Sequence, residues 1–150
     1  MFKIMEKTTI EEKKAIKSLY QFIKFFNKKD KENILNCLHY PHMAQSKNND
    51  PKIYFNKEEM WTYISFLLNK LETEERWQQT TLDKVQIVNS SQYSVQCKVE
   101  FNRRDDNKKS YAKAEGIWIT TKKHGKWGLQ LRAMIPVSGK ISILAGGKID

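Results

Sequence analysis

Two of the three histidines lie three residues apart in the segment LHYPHM, where His39 and His42 flank Tyr40 and Pro41. An imidazole titrates near neutral pH, so this pair suits general acid–base chemistry or ligand binding in a pocket. His39 has a structural alternative, because a cation near a helix C-terminus caps carbonyl groups and interacts favourably with the helix dipole. A metal centre needs a further ligand, and His124 belongs to a separate glycine turn, so we predict no metal site.

Arg132 is the second candidate, because it interrupts the otherwise apolar run Leu129–Ile135 in a chain that mostly uses lysine for positive charge. Strict alternation along a strand places Arg132 on the face opposite the leucines. A buried guanidinium must be paired. We favour a carboxylate partner on a neighbouring strand, such as Glu100 or Glu115; the alternative partner is an acidic ligand. If the leucine face of the strand packs on the helices, Arg132 points away from them and into a dimer interface.

Trp118 stands between Ile117 and Ile119, so its strand is apolar on both faces. One face should pack on helices. Because a monomer seldom exposes a wide apolar sheet, we expect a second copy to cover the other face. The pattern therefore predicts a homodimer formed through the sheet.

The formal net charge of +10 raises the possibility of nucleic-acid binding. The lysines, however, are spread over predicted helix faces and turns with acidic residues between them, and the chain has only four arginines. Arginine is the residue most used for bidentate phosphate and base contacts. We interpret the charge as a solvated lysine-rich surface and do not expect nucleic-acid binding.

The length and composition predict one domain, residues 1–150, with a sizeable core. The opening MFKIMEKTT lacks the apolar stretch of a signal peptide, and no window approaches a membrane span. We therefore expect a soluble, cytoplasmic protein without a membrane partner. Cys37 and Cys97 form no CxxC pair and are expected to be reduced core thiols.

Capping signals predict three helices. Thr9 with Glu12 begins a long amphipathic helix that ends near Asn27. Asp30 begins a short second helix that should end in LHYPHM, because the residue before a proline disfavours helical geometry. Asn56 begins a third helix with a buried apolar stripe.

Short extended segments are predicted at 43–46 and 53–55, and after residue 75 the hydrophobic period changes from 3.6 to 2. Four strands are predicted there, at 77–88, 93–103, 111–121 and 127–135. Their short connections indicate antiparallel neighbours, so we predict an α+β fold in which three N-terminal helices cover one face of a curved antiparallel sheet. Residues 141–150 are either an extra strand or a tail that packs on the outside.

Two segments carry a resemblance that covers nearly the whole chain. FFNKKDKENILNCLHYPH resembles an aromatic-Asn-x-x-Asp helix junction followed by a strand. WITTKKHGKWGLQLRAM resembles a hairpin with a Gly-x-Trp turn that leads into an arginine-bearing strand. On these motifs the chain resembles the nuclear transport factor 2-like (SnoaL-like) superfamily, in an uncharacterised bacterial branch. The resemblance implies a cone-shaped sheet around helices, the cystatin-like α+β barrel, with a cavity at the open end of the cone.

The same resemblance allows the catalytic positions of one enzyme class, the ketosteroid isomerases, to be compared with this chain. Ketosteroid isomerases of this superfamily carry a tyrosine where this chain has Phe22 and a catalytic aspartate where the nearest match is Lys47. Their oxyanion-stabilising acid corresponds to the region of Ile117 and Trp118. None of these side chains can do that chemistry, so we do not expect that activity.

Two hypotheses remain open. The first is a small-molecule-binding pocket at the mouth of the cone, for an apolar ligand with an anionic end, and with isomerisation, hydrolysis or dehydration as candidate reactions. It requires a hollow of roughly a few hundred Å³. The second is a non-catalytic dimerisation or interaction domain that uses the open face of the sheet. No cofactor is predicted, and the candidate ligand-binding residues are His39, Tyr40, His42, Trp61, Trp118 and Arg132.

Overall fold

The computed structural model describes residues 8–149. The helices in this part are α1 (Ile10–Asn27), α2 (Lys31–Asn36) and α3 (Lys57–Glu74). The strands are β1 (Leu38–Ser46), β2 (Lys52–Tyr54), β3 (Gln79–Ser90), β4 (Ser94–Arg104), β5 (Ser110–Lys123), β6 (Lys126–Gly139), β7 (Ile143–Leu144) and β8 (Gly147–Lys148). Residues 1–7, in which no signal peptide is predicted, and Asp150 lie outside the described residues.

The helices begin where their capping residues indicate. Thr9 Oγ1 accepts a hydrogen bond from the Glu12 amide (3.0 Å), and the Glu12 carboxylate accepts one from the Thr9 amide (2.9 Å). Asp30 and Asn56 are the N-caps of α2 and α3. None of the helices within residues 8–149 is long and apolar enough to cross a membrane.

The segment LHYPHM is a strand and does not end a helix, so the prediction for α2 was wrong at its C-terminus. The helix stops at Asn36, and β1 begins at Leu38. Leu129 of β6 donates its amide hydrogen to the carbonyl of Cys37 (2.9 Å), and Leu38 lies opposite Leu129. Pairing with β6 therefore supplies the backbone partners that a longer helix would have supplied.

The main sheet has the strand order β2-β1-β6-β5-β4-β3. The strands β3 to β6 follow one another as antiparallel neighbours, as predicted. β1 pairs with β6 in parallel, so the sheet is mixed and not wholly antiparallel. A parallel pair requires a long crossover connection, and the chain between these two strands, which includes α3, provides it.

A β-bulge at Gln130 interrupts the pairing of β5 with β6. Ile119 lies opposite Leu131 and Thr120 lies opposite Leu129, so Gln130 has no opposite residue. An extra residue in one strand reverses the side-chain alternation beyond it. The strict alternation predicted for this strand therefore does not hold.

The bulge decides which side chains of β6 face the core. Leu129 is buried before it, and Arg132 and Met134 are buried after it. Leu131 is half-buried and Ile135 is 60% exposed, so both lie on the outer face of the sheet. Arg132 thus points inward on the same face as Leu129, and the predicted alternative of an outward Arg132 was wrong.

The C-terminal segment forms neither an extra strand of the main sheet nor an outer tail. β7 and β8 pair only with each other, in a two-residue hairpin. Four of its apolar residues are buried: Ile141, Ile143, Leu144 and Ala145. The hairpin packs inward against α3, which removes these side chains from water.

Candidate functional site

A small internal cavity lies between α1, α3, the concave face of the sheet and the C-terminal hairpin. Its volume is about 30 Å³, which is room for about two water molecules. The apolar wall is formed mainly by aromatic side chains and the hairpin tip, and it includes Phe22, Phe26, Phe101, Trp118, Met134 and Leu144. This cavity is much smaller than the roughly few hundred Å³ that the pocket hypothesis requires. Leu144 and Ala145 of the hairpin occupy part of the space between the helices and the sheet.

Arg132 lies in the wall of this cavity and is 7% exposed. Its Nε donates a hydrogen bond to Nε2 of His42 (3.1 Å), and its guanidinium lies over the ring of Phe22, 5.6 Å from the ring centroid. Its Nη2 is buried and has no hydrogen-bond partner among the described residues. Burial acts to lower the pKa of Arg132, but a guanidinium stays charged in proteins.

The carboxylates that we expected to pair with Arg132 do not do so. Glu100 lies near Lys113 (3.7 Å) and Lys84 (3.9 Å). Glu115 lies opposite Ile135 on the outer face. The bulge at Gln130 separates Arg132 from both acids by turning it inward, so the prediction of a protein carboxylate partner was wrong.

His42 is fully buried behind Arg132. Its Nδ1 lies 3.2 Å from the carbonyl oxygen of Leu129, and its Nε2 accepts the hydrogen bond from Arg132. These partners assign the proton to Nδ1. Burial and the charge of Arg132 hold the pKa of His42 well below its usual value, so the ring is neutral. The lone pair that a general base needs is already engaged.

Tyr54 and Tyr63, which were not among the candidate residues predicted from the sequence, lie close enough to Arg132 to feel its charge. The rings of Tyr54 and Tyr63 stack with centroids 5.4 Å apart, and the Tyr63 hydroxyl accepts a hydrogen bond from the Gly146 amide (2.7 Å). Burial raises the pKa of Tyr54 to about 12 and also raises the pKa of Tyr63, while the Arg132 charge lowers both. Tyr63 lies in the buried stripe of α3, which was the signal that could have identified it.

A second buried cation lies in the cavity wall, but it is fully paired. Arg103 Nη1 donates to both oxygens of Glu75 (3.1 and 3.2 Å). Tyr111 donates its hydroxyl hydrogen to Glu75 (2.8 Å), and Ser142 donates both its amide (2.7 Å) and hydroxyl hydrogens (2.6 Å). Burial alone would raise the pKa of Glu75; Arg103 and these hydrogen bonds outweigh burial, so this pKa is lowered.

Trp118 forms the floor of the cavity and is 1% exposed. Its Nε1 donates to the sulfur of Met134 (3.0 Å). Its ring meets Phe22 edge-on, with centroids 6.0 Å apart, and lies 6.3 Å from the ring of Phe101. The floor is therefore an aromatic surface suited to a flat or compact apolar group.

The structure brings together three of the six candidate residues: Arg132, His42 and Trp118. Of these three, Arg132 and Trp118 line the cavity and His42 lies behind Arg132, whereas His39, Tyr40 and Trp61 are not in the cavity wall. His39 Nδ1 lies 2.9 Å from the Thr121 hydroxyl, and burial, followed by the charge of Lys123, lowers the pKa of His39 to about 4. Whether any of the six binds a ligand stays a prediction.

Tyr40 and Trp61 have structural partners. Tyr40 donates its hydroxyl hydrogen to the carbonyl of Leu35 (3.0 Å), at the end of α2. Trp61 is half-buried on α3, with Lys31 Nζ 5.5 Å from the centroid of its ring. Within residues 8–149, no group of three histidine, cysteine or acidic side chains is arranged to hold a metal ion.

No family model matches the sequence, and no curated protein matches it. Solved structures do match. A protein of unknown function with a cystatin-like fold from Nostoc punctiforme has 19% identity and a TM-score of 0.69 over 89% of this chain and 96% of its own.

Two further structures show the same architecture. An NTF2-like protein of unknown function from Pseudomonas putida has 7% identity and a TM-score of 0.68 over 87% of this chain and 89% of its own. A ketosteroid isomerase-like protein from Erwinia carotovora has 11% identity and a TM-score of 0.61 over 87% of this chain and 99% of its own. The chain therefore has the cystatin-like α+β fold, which it shares with these NTF2-like and ketosteroid isomerase-like proteins, as the sequence predicted.

Proposed function

We propose that this protein binds a small molecule that has an anionic group and a compact apolar body, in the cavity between the helices and the concave face of the sheet. The anionic group binds Arg132. The apolar body packs on Trp118 and Phe22. The observation that carries the proposal is the buried Nη2 of Arg132, which has no partner among residues 8–149.

A buried cation without an anionic partner is costly, and proteins normally pair it with a carboxylate. Arg103 in the same cavity follows that rule through Glu75. Arg132 has instead a neutral imidazole on Nε and an aromatic face, so a ligand carboxylate would supply the missing counter-charge through a charge-assisted hydrogen bond.

The geometry supports binding more than acid–base turnover. His42 has its accepting nitrogen engaged by Arg132. Glu75 has both oxygens engaged by Arg103 and other donors. The isomerase activity in the name of the Erwinia protein is not proposed for this chain. Phe22 and Trp118, which stand at two of the catalytic positions, line the cavity as apolar side chains, and Lys47, at the third, is exposed.

The test is a titration of isovalerate (3-methylbutanoate) against the wild type and Arg132→Met, followed by calorimetry and by thermal unfolding. Isovalerate should bind the wild type and raise its unfolding temperature, whereas the neutral amide of the same acid should not. Arg132→Met should lose at least tenfold in affinity, and Arg132→Lys should retain part of it.

The matched control is Arg76→Met, which removes an exposed guanidinium by the same substitution. It should bind isovalerate as the wild type does. Equal binding of the acid and its amide, or unchanged affinity in Arg132→Met, would contradict the proposal.

A second candidate function is homodimerisation through the outer face of the sheet, which is favoured by its exposed apolar residues. Ile117 is 37%, Ile135 60% and Val137 49% exposed. The ion-paired Lys113 and Glu100 lie beside them, so two identical faces would bring both signs of charge to a two-fold interface. The two proposals are compatible, because the cavity lies on the other side of the sheet. The expected cytoplasmic location also stays part of the proposal.

A further inference from the structure

The hairpin Ile141–Ile149 forms one wall of the cavity. Leu144 is 1% and Ala145 is 4% exposed, and both face Arg132 and Trp118 across the remaining space. That space, about 30 Å³, is too small for an isobutyl or phenyl group. A ligand with an apolar body of that size must therefore displace part of the cavity wall, and Leu144 and Ala145 are the lining residues that lie outside the helices and the six-stranded sheet.

The attachment of the hairpin is weak compared with that of a sheet strand. β7 and β8 form no backbone ladder with the six-stranded sheet. In the part of the chain that the structure describes, the hairpin is held by the burial of its apolar side chains and by hydrogen bonds to side chains: Ser142 to Glu75, the Gly146 amide to Tyr63, and Asn49 to the carbonyl of Lys148. These bonds can break without disturbing any strand pairing of the core.

The connection between β6 and the hairpin begins at a glycine. Gly139, at the end of β6, has φ +79°, and a Cβ there would lie 2.7 Å from Cα of Ala112. Only glycine fits this turn. The segment beyond it returns across the cavity through the tight turn at Ala145 (φ 39°) and Gly146 (φ 88°). Gly139 itself is paired with Ala112, so rotation about the backbone beyond the glycine would withdraw the hairpin tip while β6 stays paired.

We infer that the hairpin tip is an internal occupant of the binding cavity, and that a monocarboxylate with a branched or cyclic hydrocarbon body of four to six carbons displaces Leu144 when it binds Arg132. This inference rests on the proposed function and adds the class of ligand and the element that controls access. Isovalerate is the matched probe, because its hydrocarbon body is the isobutyl group of a leucine side chain.

The first experiment locks the hairpin with a disulfide between Asn49→Cys and Gly147→Cys. A Cβ at position 147 would lie 2.8 Å from Cγ of Asn49, near the spacing of about 3 Å between a Cβ and the far sulfur of a disulfide. Cys37 and Cys97 are buried and should not compete. The oxidised protein should bind isovalerate at least tenfold more weakly than the same protein after reduction. Asn49→Cys alone should show no such redox dependence.

The second experiment needs no substitution. Hydrogen exchange of the Ser142 and Gly146 amides is measured by NMR with and without saturating isovalerate. Displacement should make these two amides exchange at least tenfold faster in the complex, while the amides in the centres of β4 and β5 exchange more slowly.

The outcomes separate the two proposals. Isovalerate binding that is unaffected by the lock, together with slower exchange in the hairpin, would overturn the displacement and leave the proposed function intact. No binding of isovalerate to the reduced, unlocked protein would overturn both. Binding that depends on the lock but not on Arg132 would retain the displaceable hairpin and overturn the role of Arg132.

Discussion

At the scale of single residues, two buried arginines in one cavity have opposite surroundings. Arg103 shares a salt bridge with Glu75, and the two side chains are 5% and 0% exposed. Arg132 has a neutral acceptor and an aromatic ring. The first arrangement is typical of a structural ion pair, and the second is typical of a site that awaits an anion.

The different surroundings of Arg103 and Arg132 should give the two substitutions different effects on the free energy of unfolding. Arg103→Met leaves the Glu75 carboxylate buried without its cation, so we expect a loss of about 3–5 kcal/mol in the free energy of unfolding. Arg132→Met removes an uncompensated charge, and we expect a change smaller by at least about 2 kcal/mol. Urea denaturation of both variants measures the difference. Equal losses would show that Arg132 has an unrecognised structural partner.

The buried histidine should produce a pH dependence of stability. The pKa of His42 is near 6.5 in the unfolded chain and well below that in the folded protein. Between these values the unfolded state binds one more proton, so the free energy of unfolding falls as the pH falls below 6.5, by up to about 1.4 kcal/mol per pH unit for one proton. His39 acts in the same direction down to its pKa of about 4.

Denaturation of the wild type and His42→Gln between pH 7 and 4 tests this expectation. The variant should lose the slope of one proton, and His39→Gln should lose a further part. A wild-type slope unchanged in His42→Gln would mean that the imidazole is not held neutral by its surroundings.

At the scale of elements, local patterns predicted the helices and strands, and long-range pairing set the site. The capping box at Thr9 and the N-cap at Asn56 mark helix starts within four adjacent residues, and the period of two predicts the meander. The bulge at Gln130 and the parallel pairing of β1 with β6 depend on which strands meet in space. For that reason the inward direction of Arg132 could not be derived from alternation.

The close approach of β5 to β6 gives a prediction at this scale. A Cβ at Gly116 would overlap the carbonyl oxygen of Ala133 and lie 2.8 Å from the sulfur of Met134. Gly116→Ala should therefore separate the strands and lower the free energy of unfolding by at least about 2 kcal/mol. Gly125→Ala, in the turn at φ +78° with no atom near the new methyl, should cost only about 1 kcal/mol. A smaller effect at Gly116 than at Gly125 would contradict the observed register.

At the scale of the whole molecule, the chain has two apolar surfaces on opposite sides of one sheet. The inner one lines the cavity, and the C-terminal hairpin forms part of the wall. The outer one remains exposed at Ile117, Ile135 and Val137. The sequence indicated both faces through Trp118 and its isoleucine neighbours, but it did not indicate the inward hairpin, because four apolar residues near a terminus suit a strand equally well.

The outer face predicts the assembly state. Light scattering after gel filtration should give a dimer for the wild type, because the exposed apolar residues of two copies would cover one another. Ile135→Lys places a charge in that interface and should give a monomer with unchanged isovalerate binding. A monomeric wild type at micromolar concentrations would contradict the proposed interface without affecting the cavity.

The measurement that tests the central claim most directly is a crystal structure of the protein with isovalerate. We predict electron density for the carboxylate within hydrogen-bonding distance of Nη2 of Arg132, with its isobutyl group against Trp118 and the side chain of Leu144 displaced. A structure in which Nη2 binds a protein carbonyl, and isovalerate lies elsewhere or is absent at saturating concentration, would contradict it.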